Sequence, residues 1–185
     1  MSLPKEKVVF TDVQELRRRA RTHIESGAVT QGYQGDRETI LRLLNDALAT
    51  EIVCVLRYRS HYYLARGIHY EAVAKEFWDH SNEEQGHADE LAERIVQLGG
   101  KPNFHPEGLL SRSHAEYIEG STLEEMIKEN LIAERIAIDS YGEMIRYIGD
   151  KDPTTRRMLE GILETEEQHA DDLAEFLTDV SEEKK

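Results

Sequence analysis

The sequence predicts an all-α protein: a four-helix bundle with a long crossover between its second and third long helices and a short helix ahead of the bundle. Three observations support this prediction. The 185 residues are rich in Leu, Ala, Glu, Arg and Ile and include only four prolines, a composition that favours helix. Four long segments carry apolar side chains at helical spacing. A connection containing Pro and Gly separates the second segment from the third.

Composition and charge narrow the functional classes. The formal net charge of −14 argues against nucleic acid as the main partner, because phosphate binding needs a basic surface. The same charge is compatible with attracting metal cations. Cys54 is the single cysteine, which excludes an internal disulfide framework and a cysteine-based zinc or rubredoxin-type iron site. We expect a cytoplasmic, reducing compartment, with no export signal and no membrane span.

Residues 1–35 are predicted to form an extension with one short helix. Thr11 is its predicted cap and Gly27 its predicted end, and residues 27–35 are predicted to be a linker. Its apolar residues recur at helical spacing: Val13, Leu16, Ala20 and Ile24. It also carries Arg17, Arg18, Arg19 and Arg21. These arginines favour a solvated face that docks on the body or on a neighbouring subunit; the alternative is a DNA-contacting arm.

Residues 36–180 are predicted to form the bundle, and residues 181–185 a short polar tail. The long helices are expected over Asp36–Arg66, over His69–Leu98, from Ser121 or Thr122 to near Gly149, and from Asp152-Pro153 to about Val180. The first two are separated by a very short turn, so we expect them to be antiparallel. The connection Lys101–Gly120, with a short helix within 107–119, is long enough to cross back along the bundle.

Two repeated motifs place polar residues on the predicted core face. Glu84-Gln85-Gly86-His87 and Glu166-Glu167-Gln168-His169 each set a carboxylate and an imidazole three residues apart, and therefore on one side of a helix. Both motifs continue into closely similar sequence, and they lie 82 positions apart. One Glu-x-x-His is a weak signal, whereas two copies in matching contexts are a stronger one.

The first and third long helices each add one glutamate to this face. Glu51 is followed seven residues later by Tyr58, and Glu134 likewise by Tyr141. Each motif lies near the middle of its helix, so the four helices should bring them to one level. Four buried carboxylates would repel strongly, and two divalent ions would balance them. We predict a dinuclear metal site with the ligands Glu51, Glu84, His87, Glu134, Glu166 and His169.

Several residues near the predicted ligands in the sequence have more than one possible role. Tyr58 and Tyr141 could hydrogen-bond the ligand carboxylates, carry an electron or serve as core aromatics. Asn130 is a candidate partner for the second ring nitrogen of a ligand histidine. Histidines outside the motifs are expected at the surface, although His80 has the alternative of lying near the metals: His23, His61, His69, His80, His105 and His114. Cys54 is interpreted as a small buried hydrophobe.

At these residues the sequence resembles the ferritin-like superfamily, specifically the bacterioferritin and Dps-like ferritin group, over about residues 36–180. The pattern Glu; Glu-x-x-His; Glu; Glu-x-x-His and the 33 positions between Glu51 and Glu84 carry the resemblance. It implies a ferritin-like four-helix bundle with a ferroxidase centre of two iron ions per subunit, for which manganese or zinc could substitute. By position, Glu84 and Glu166 would bridge the metals, beside His87 and His169. Glu51 and Glu134 would be terminal ligands.

Three departures from the resemblance bear on the expectations. Bacterioferritin has a haem-ligating Met directly after the first bridging Glu, where this chain has Gln85, so we expect no haem. The 24-subunit shells carry a fifth C-terminal helix, for which the residues after His169 leave little room, so 12 subunits are favoured over 24. The thioferritin branch has a cysteine pair beside the metals, which Cys54 alone cannot supply.

The expected function is a ferroxidase that oxidises Fe(II) with peroxide or oxygen and stores the product inside a hollow homo-oligomer, as part of defence against oxidative stress. The enzymatic alternative is a di-metal oxidase, hydroxylase or manganese catalase that does not accumulate iron. A non-enzymatic alternative is a helical scaffold, with or without metal, whose arginine-rich N-terminus binds DNA or a partner. The negative charge means that DNA is not an expected partner.

Overall fold

A computed structural model describes residues 10–65 and 70–182, which contain six α-helices, one 3-10 turn at Ile24–Ser26 and no strand. The helices are α1 (Val13–Arg19), α2 (Arg37–Leu64), α3 (Glu71–Gln97), α4 (Leu109–Arg112), α5 (Leu123–Ile148) and α6 (Pro153–Glu182). The long helices α2, α3, α5 and α6 form the bundle, as predicted. None of the helices in the described ranges contains an apolar stretch sufficient to span a lipid bilayer.

The helix ends follow the predicted capping chemistry. A side-chain oxygen at each predicted cap accepts the backbone N–H three residues further on: Asp36 from Thr39, Thr122 from Glu125, and Asp152 from Thr155. The predicted end of the first long helix at Arg66 and the predicted start of the second at His69 lie outside the described residues. Helix α6 continues to Glu182, two residues past the predicted end near Val180. The predicted domain boundaries stay predictions.

Contacts between helix ends give the order of the bundle. The ring of Tyr62, near the end of α2, contacts the ring of Trp78, near the start of α3, so these two helices are antiparallel. Asp36, the cap of α2, accepts a hydrogen bond from Tyr147 at the end of α5, so α2 and α5 are also antiparallel. The end of α3 meets the start of α6 through Arg94 and Asp152. The order is therefore up, down, down, up.

The crossover between α3 and α5 runs back along α2, as its length predicts. Its backbone is hydrogen-bonded to successive α2 side chains: Asn103 to Asn45, His114 to Thr50, Glu116 to Arg57, and Ile118 to His61. The short helix α4 lies within this segment, inside the predicted range 107–119. The crossover thus fixes the direction in which α5 enters the bundle.

Among the described residues, two apolar clusters make up the core, one toward each end of the bundle. The first includes Ile40, Leu44, Leu91, Ile95, Tyr141, Ile148 and Leu159, and the second includes Cys54, Tyr58, Phe77, Met126, Ile127 and Leu173. Burying one such large aliphatic or aromatic side chain contributes about 1.5–3 kcal/mol. Glu51 lies between the residues that α2 contributes to the two clusters, so a polar layer interrupts the core at mid-helix.

The short N-terminal helix differs from its prediction. Asp12, not Thr11, caps α1 by accepting the Gln14 N–H at 2.8 Å, and the helix ends at Arg19 rather than near Gly27. None of its residues is buried. The predicted apolar stripe is mostly exposed: Val13 by 56%, Leu16 by 51% and Ile24 by 75%. With no apolar surface of the described chain covering this stripe, tertiary packing does not extend the helix.

A buried ion pair joins three segments at one end of the bundle. The Arg94 guanidinium donates to both Asp152 oxygens at 2.8 and 3.0 Å and to the Thr155 hydroxyl at 2.7 Å. The Tyr33 hydroxyl donates to Asp152 at 2.9 Å. Asp152 therefore ties the end of α3 and the segment before α2 to the first turn of α6.

Replacing Asp152 should show how much this junction contributes to the free energy of unfolding. We expect Asp152→Ala to lower the free energy of unfolding by about 3–5 kcal/mol, because the substitution leaves the Arg94 charge buried without its partner. The matched control is Arg156→Ala, which breaks an ion pair with the fully exposed Asp150 and should lower the free energy of unfolding much less. Urea denaturation of the two variants measures both effects, and equal losses would contradict the assignment.

Candidate metal centre

The structure brings all six predicted ligands into the polar layer between the apolar clusters. Their candidate ligand atoms form two groups, and within each group all atoms lie within 4.8 Å of one another. The first group is Glu51, Glu84, His87 and Glu166; the second is Glu84, Glu134, Glu166 and His169. Glu84 and Glu166 belong to both groups, so their carboxylates lie between two adjacent candidate metal positions.

The three-residue spacing in each motif turns the carboxylate and the imidazole toward the same point. The Nδ1 atom of His87 lies 3.3 Å from Glu84 and 3.0 Å from Glu166. The Nδ1 atom of His169 lies 3.6 Å from Glu84 and 3.8 Å from Glu166. Each imidazole therefore faces one motif carboxylate from its own helix and one from the neighbouring helix.

The layer leaves many buried polar atoms without hydrogen bonds. The four glutamates are at most 1% exposed. Within the described chain, these ligand atoms have no hydrogen-bond partner: Glu51 Oε2, Glu84 Oε1, Glu134 Oε2, both oxygens of Glu166, and His169 Nδ1. Each such atom costs about 1–3 kcal/mol when unpaired, and more when charged. Two divalent cations fit this set, because they would satisfy the orphaned atoms and balance four carboxylates.

Crowding shifts the pKa values of the ligand side chains. Burial, and next the Glu84 carboxylate, raise the pKa of Glu51 and of Glu166 well above the usual range. Burial lowers the pKa of His87, but the neighbouring carboxylates of Glu51 and Glu84 outweigh burial and raise the pKa to about 10. For His169, the Glu84 carboxylate likewise outweighs burial and raises the pKa to about 9. The metal-free site therefore holds protons at neutral pH.

Two buried tyrosines hold the outer carboxylates. The Tyr58 hydroxyl on α2 donates to Glu134 on α5, and the Tyr141 hydroxyl on α5 donates to Glu51 on α2. Both tyrosines are at most 1% exposed. The repeated Glu-to-Tyr spacing thus corresponds to a reciprocal pair of contacts between α2 and α5. Of the interpretations given to these tyrosines, the structure shows the hydrogen bond to a predicted ligand.

The partner of a ligand histidine differs from the prediction. Asn130 was a candidate, but this prediction is wrong: its side-chain oxygen accepts from Arg57 at 2.8 Å and its amide nitrogen lies 3.0 Å from His61. Instead, the Nε2 atom of His169 lies 2.6 Å from the Glu83 carboxylate. Glu83 faces solvent on α3, so the spacing of buried residues gave no signal for it.

His61 and His80 are buried, contrary to the expectation for histidines outside the motifs. Burial, followed by the Arg57 charge, lowers the pKa of His61 to about 4. The His80 ring stacks on the His169 ring, with 3.9 Å between centroids, so His80 lies beside the predicted metal ligands. Burial and the neighbouring His169 lower the pKa of His80 to about 3. Helical spacing alone does not place either ring.

A family comparison covers the same part of the chain. A model for the ferritin-like domain matches residues 41–182, which contain all six predicted ligands and all but the first turn of the bundle. This protein belongs to the ferritin-like family. The all-α ferritin-like bundle predicted from the sequence is confirmed by this match and by the helices of the structure.

Curated relatives of this ferritin-like protein come from both branches of the predicted group. It is 35% identical over 149 residues to the DNA protection during starvation protein of Pyrococcus furiosus, with 77% of this chain and 79% of the relative covered. It is 33% identical over 150 residues to the bacterioferritin of Brucella melitensis, with 78% of this chain and 88% of the relative covered.

Solved structures show the same architecture. One similar chain, with a TM-score of 0.78 and 30% identity, is a dodecameric thioferritin, the bacterioferritin-related protein from Bacteroides fragilis; 82% of this chain and 91% of that one are covered. Another, with a TM-score of 0.68 and 25% identity, is a ferritin-like, diiron-carboxylate protein from Bacillus anthracis, with 77% of this chain and 97% of that one covered.

The raised pKa values predict how metal binding depends on pH. At pH 7 the rings of His87 and His169 are both in the cationic imidazolium form in the metal-free site. Coordination requires each ring to lose one proton. Apparent affinity should therefore rise by about tenfold per pH unit for each imidazole deprotonated between pH 6 and 8. Anaerobic calorimetry with Zn²⁺ in buffers of different ionisation enthalpy measures the released protons. Binding without proton release would contradict the assigned ligands.

The contact between Glu83 and His169 predicts that Glu83 increases the affinity of the site for metal. We expect Glu83→Gln to weaken Zn²⁺ binding by about tenfold, because a carboxylate on the outer nitrogen of a ligand imidazole raises its basicity and fixes its orientation. Glu90→Gln is the matched control, since it removes one exposed carboxylate from the same helix. Competition with a chelator of known affinity gives both values, and equal affinities in the two variants would refute the role of Glu83.

Proposed function

We propose that this ferritin-like protein is a ferroxidase that oxidises Fe(II) at the polar layer and stores the ferric product in a hollow homo-oligomer. The observation that carries the proposal is the pair of buried ligand groups that share Glu84 and Glu166. In this arrangement Glu51 and His87 complete one iron position, and Glu134 and His169 complete the other. Two ferrous ions per subunit balance the four carboxylates.

The donor set supports iron as the metal. Carboxylate oxygens with one imidazole per position suit divalent iron, and they also accept manganese or zinc, which can serve as probes. The names bacterioferritin and diiron-carboxylate protein among the relatives and similar structures favour iron within this range. No residue is assigned to haem: Gln85 stands where the resemblance would require a methionine ligand.

Fe(II) is the substrate, and the chain supplies its position and charge balance. Two adjacent ferrous ions can give one electron each to a two-electron oxidant; with peroxide and two protons, the products are two ferric ions and two waters. Glu84 and Glu166 hold the pair together, while the tyrosine hydroxyls keep Glu51 and Glu134 turned inward. Burial between two apolar clusters keeps bulk water from the site. Peroxide and oxygen both remain candidate oxidants.

Storage requires an assembly as well as a catalytic site. The similarity to a dodecameric bacterioferritin-related protein supports a shell of 12 subunits rather than 24. The net charge of −14 suits a container for cations. The proposed role of the container is to limit iron-dependent oxidative damage in the cytoplasm. The same charge disfavours DNA binding, and two of the N-terminal arginines, Arg18 and Arg19, are paired with Glu15.

Substitution of the ligands tests the ferroxidase. We expect Glu84→Ala and His169→Ala each to reduce the initial rate of Fe(II) oxidation to that of iron without protein, because each removes a ligand from the layer. Glu167→Gln, an exposed neighbour of Glu166, is the matched control and should keep the rate. Stopped-flow absorbance after Fe(II) and peroxide, or Fe(II) and oxygen, measures the rates. Fast oxidation in both ligand variants would show that the site is wrong.

Iron loading separates storage from the alternative enzymes. Metal-free protein is loaded with Fe(II) in air, and iron and protein are quantified in one size-separated peak. Iron far above two ions per subunit, in a closed assembly, is expected, and the mass of the peak distinguishes 12 from 24 subunits. Saturation at two ions would refute storage and favour a di-metal oxidase, hydroxylase or manganese catalase on the same bundle.

A further inference from the structure

A third group of potential ligands lies beside the six already described. We propose that Glu76 and His80 on α3, together with Asp172 on α6, form a third divalent-cation site. The candidate ligand atoms of these three side chains all lie within 4.8 Å of one another. The Nε2 atom of His80 is 3.2 Å from Glu76 Oε1 and 4.0 Å from Asp172 Oδ2. A single cation could therefore contact all three after small side-chain adjustments.

The buried face of His80 supports a cation at this position. His80 is 1% exposed, and its Nε2 atom has no hydrogen-bond partner within the described part of the chain. The nearby Glu76 oxygen does not meet the geometry of a hydrogen bond to it. An unpaired imidazole nitrogen that is fully buried and faces two carboxylates is unfavourable, whereas a metal ion at that point would satisfy all three groups.

The other ring nitrogen of His80 fixes which atom is available for a metal. Tyr58 donates its only hydroxyl proton to Glu134, so its oxygen can only accept a hydrogen bond from His80. The Nδ1 atom of His80, 3.2 Å from that oxygen, must then carry the ring proton. In the neutral ring, the Nε2 atom then presents a lone pair toward Glu76 and Asp172. A lone pair facing two carboxylates repels them unless a cation lies between.

The third site opens to solvent, unlike the dinuclear centre. A pocket of about 610 Å³ between α3 and α6 has His80 and His169 in its lining. Its acidic lining residues are Glu76, Asp79, Glu83, Glu164 and Asp172. The side chains of Glu76 and Asp172 remain 28% and 32% exposed, so an ion from solution can reach them directly. Acidic side chains in a concave surface raise the local concentration of cations.

The position of the site suggests its role. The His80 ring stacks on His169, a predicted ligand of the dinuclear centre, so an ion on His80 lies one side chain from that centre. We infer that Fe(II) binds transiently at the third site before it reaches the dinuclear centre. This role rests on the proposed function, whereas cation binding by Glu76, His80 and Asp172 does not depend on it.

Anomalous diffraction from crystals of the full chain soaked in Mn²⁺ tests the site. At a concentration that fills the dinuclear centre, we expect two peaks there and a third peak bounded by Glu76, His80 and Asp172. The double variant Glu76→Gln/Asp172→Asn should lose the third peak and keep the other two, which also shows that it folds. Glu164→Gln removes a charge from the same pocket and should keep all three peaks.

Each outcome bears on one claim. Two central peaks without a third, or a third peak that persists in the double variant, would overturn the third site. A third peak without the central pair would support the third site and contradict the proposed function. If the transient-binding role holds, the double variant should need on the order of tenfold more Fe(II) for half-maximal oxidation at an unchanged maximal rate. An unchanged Fe(II) dependence would overturn that role.

Discussion

The mutual repulsion of four carboxylates in one buried layer is the constraint on which the rest of the structure depends. Burial in a low-dielectric interior makes each charge costly, and their proximity adds to that cost. In the structure, imidazoles lie beside the carboxylates, and tyrosine hydroxyls donate to two of them. These groups orient the oxygens, but they leave enough atoms unpaired that cations are the natural complement.

The surrounding polar network keeps this layer in place. The guanidinium of Arg57, buried on α2, donates to Asn130 on α5 and to the backbone of Glu116 in the crossover. Asn130 in turn contacts His61 on α2. One buried cation therefore connects two bundle helices and the segment that joins the halves of the chain. Because Arg57 follows Glu51 by less than two helical turns, any shift of this junction would also displace a candidate ligand.

The sequence predicts the bundle and the inner ligands because a charge on an apolar helical face is conspicuous. Glu51 and Glu134 stand out in this way, and the repeated Glu-x-x-His motifs mark the other two helices. The same reasoning fails for Glu83, which faces solvent and contacts the predicted ligand His169 on another helix. It also fails for His61 and His80, because a histidine off a recognised motif gives no periodic signal. The length of α1 was mispredicted because spacing alone does not supply a surface on which to pack.

The division of ligands between the two helical hairpins has a consequence for folding. Each candidate metal position takes three ligands from one hairpin, α2–α3 or α5–α6, and one glutamate from the other. The hairpins are built from contacts close in sequence, whereas their docking brings together residues separated by the crossover, which slows assembly. A bound ion would therefore act as a cross-link between two preformed halves, and its binding free energy would stabilise their association more than either half alone.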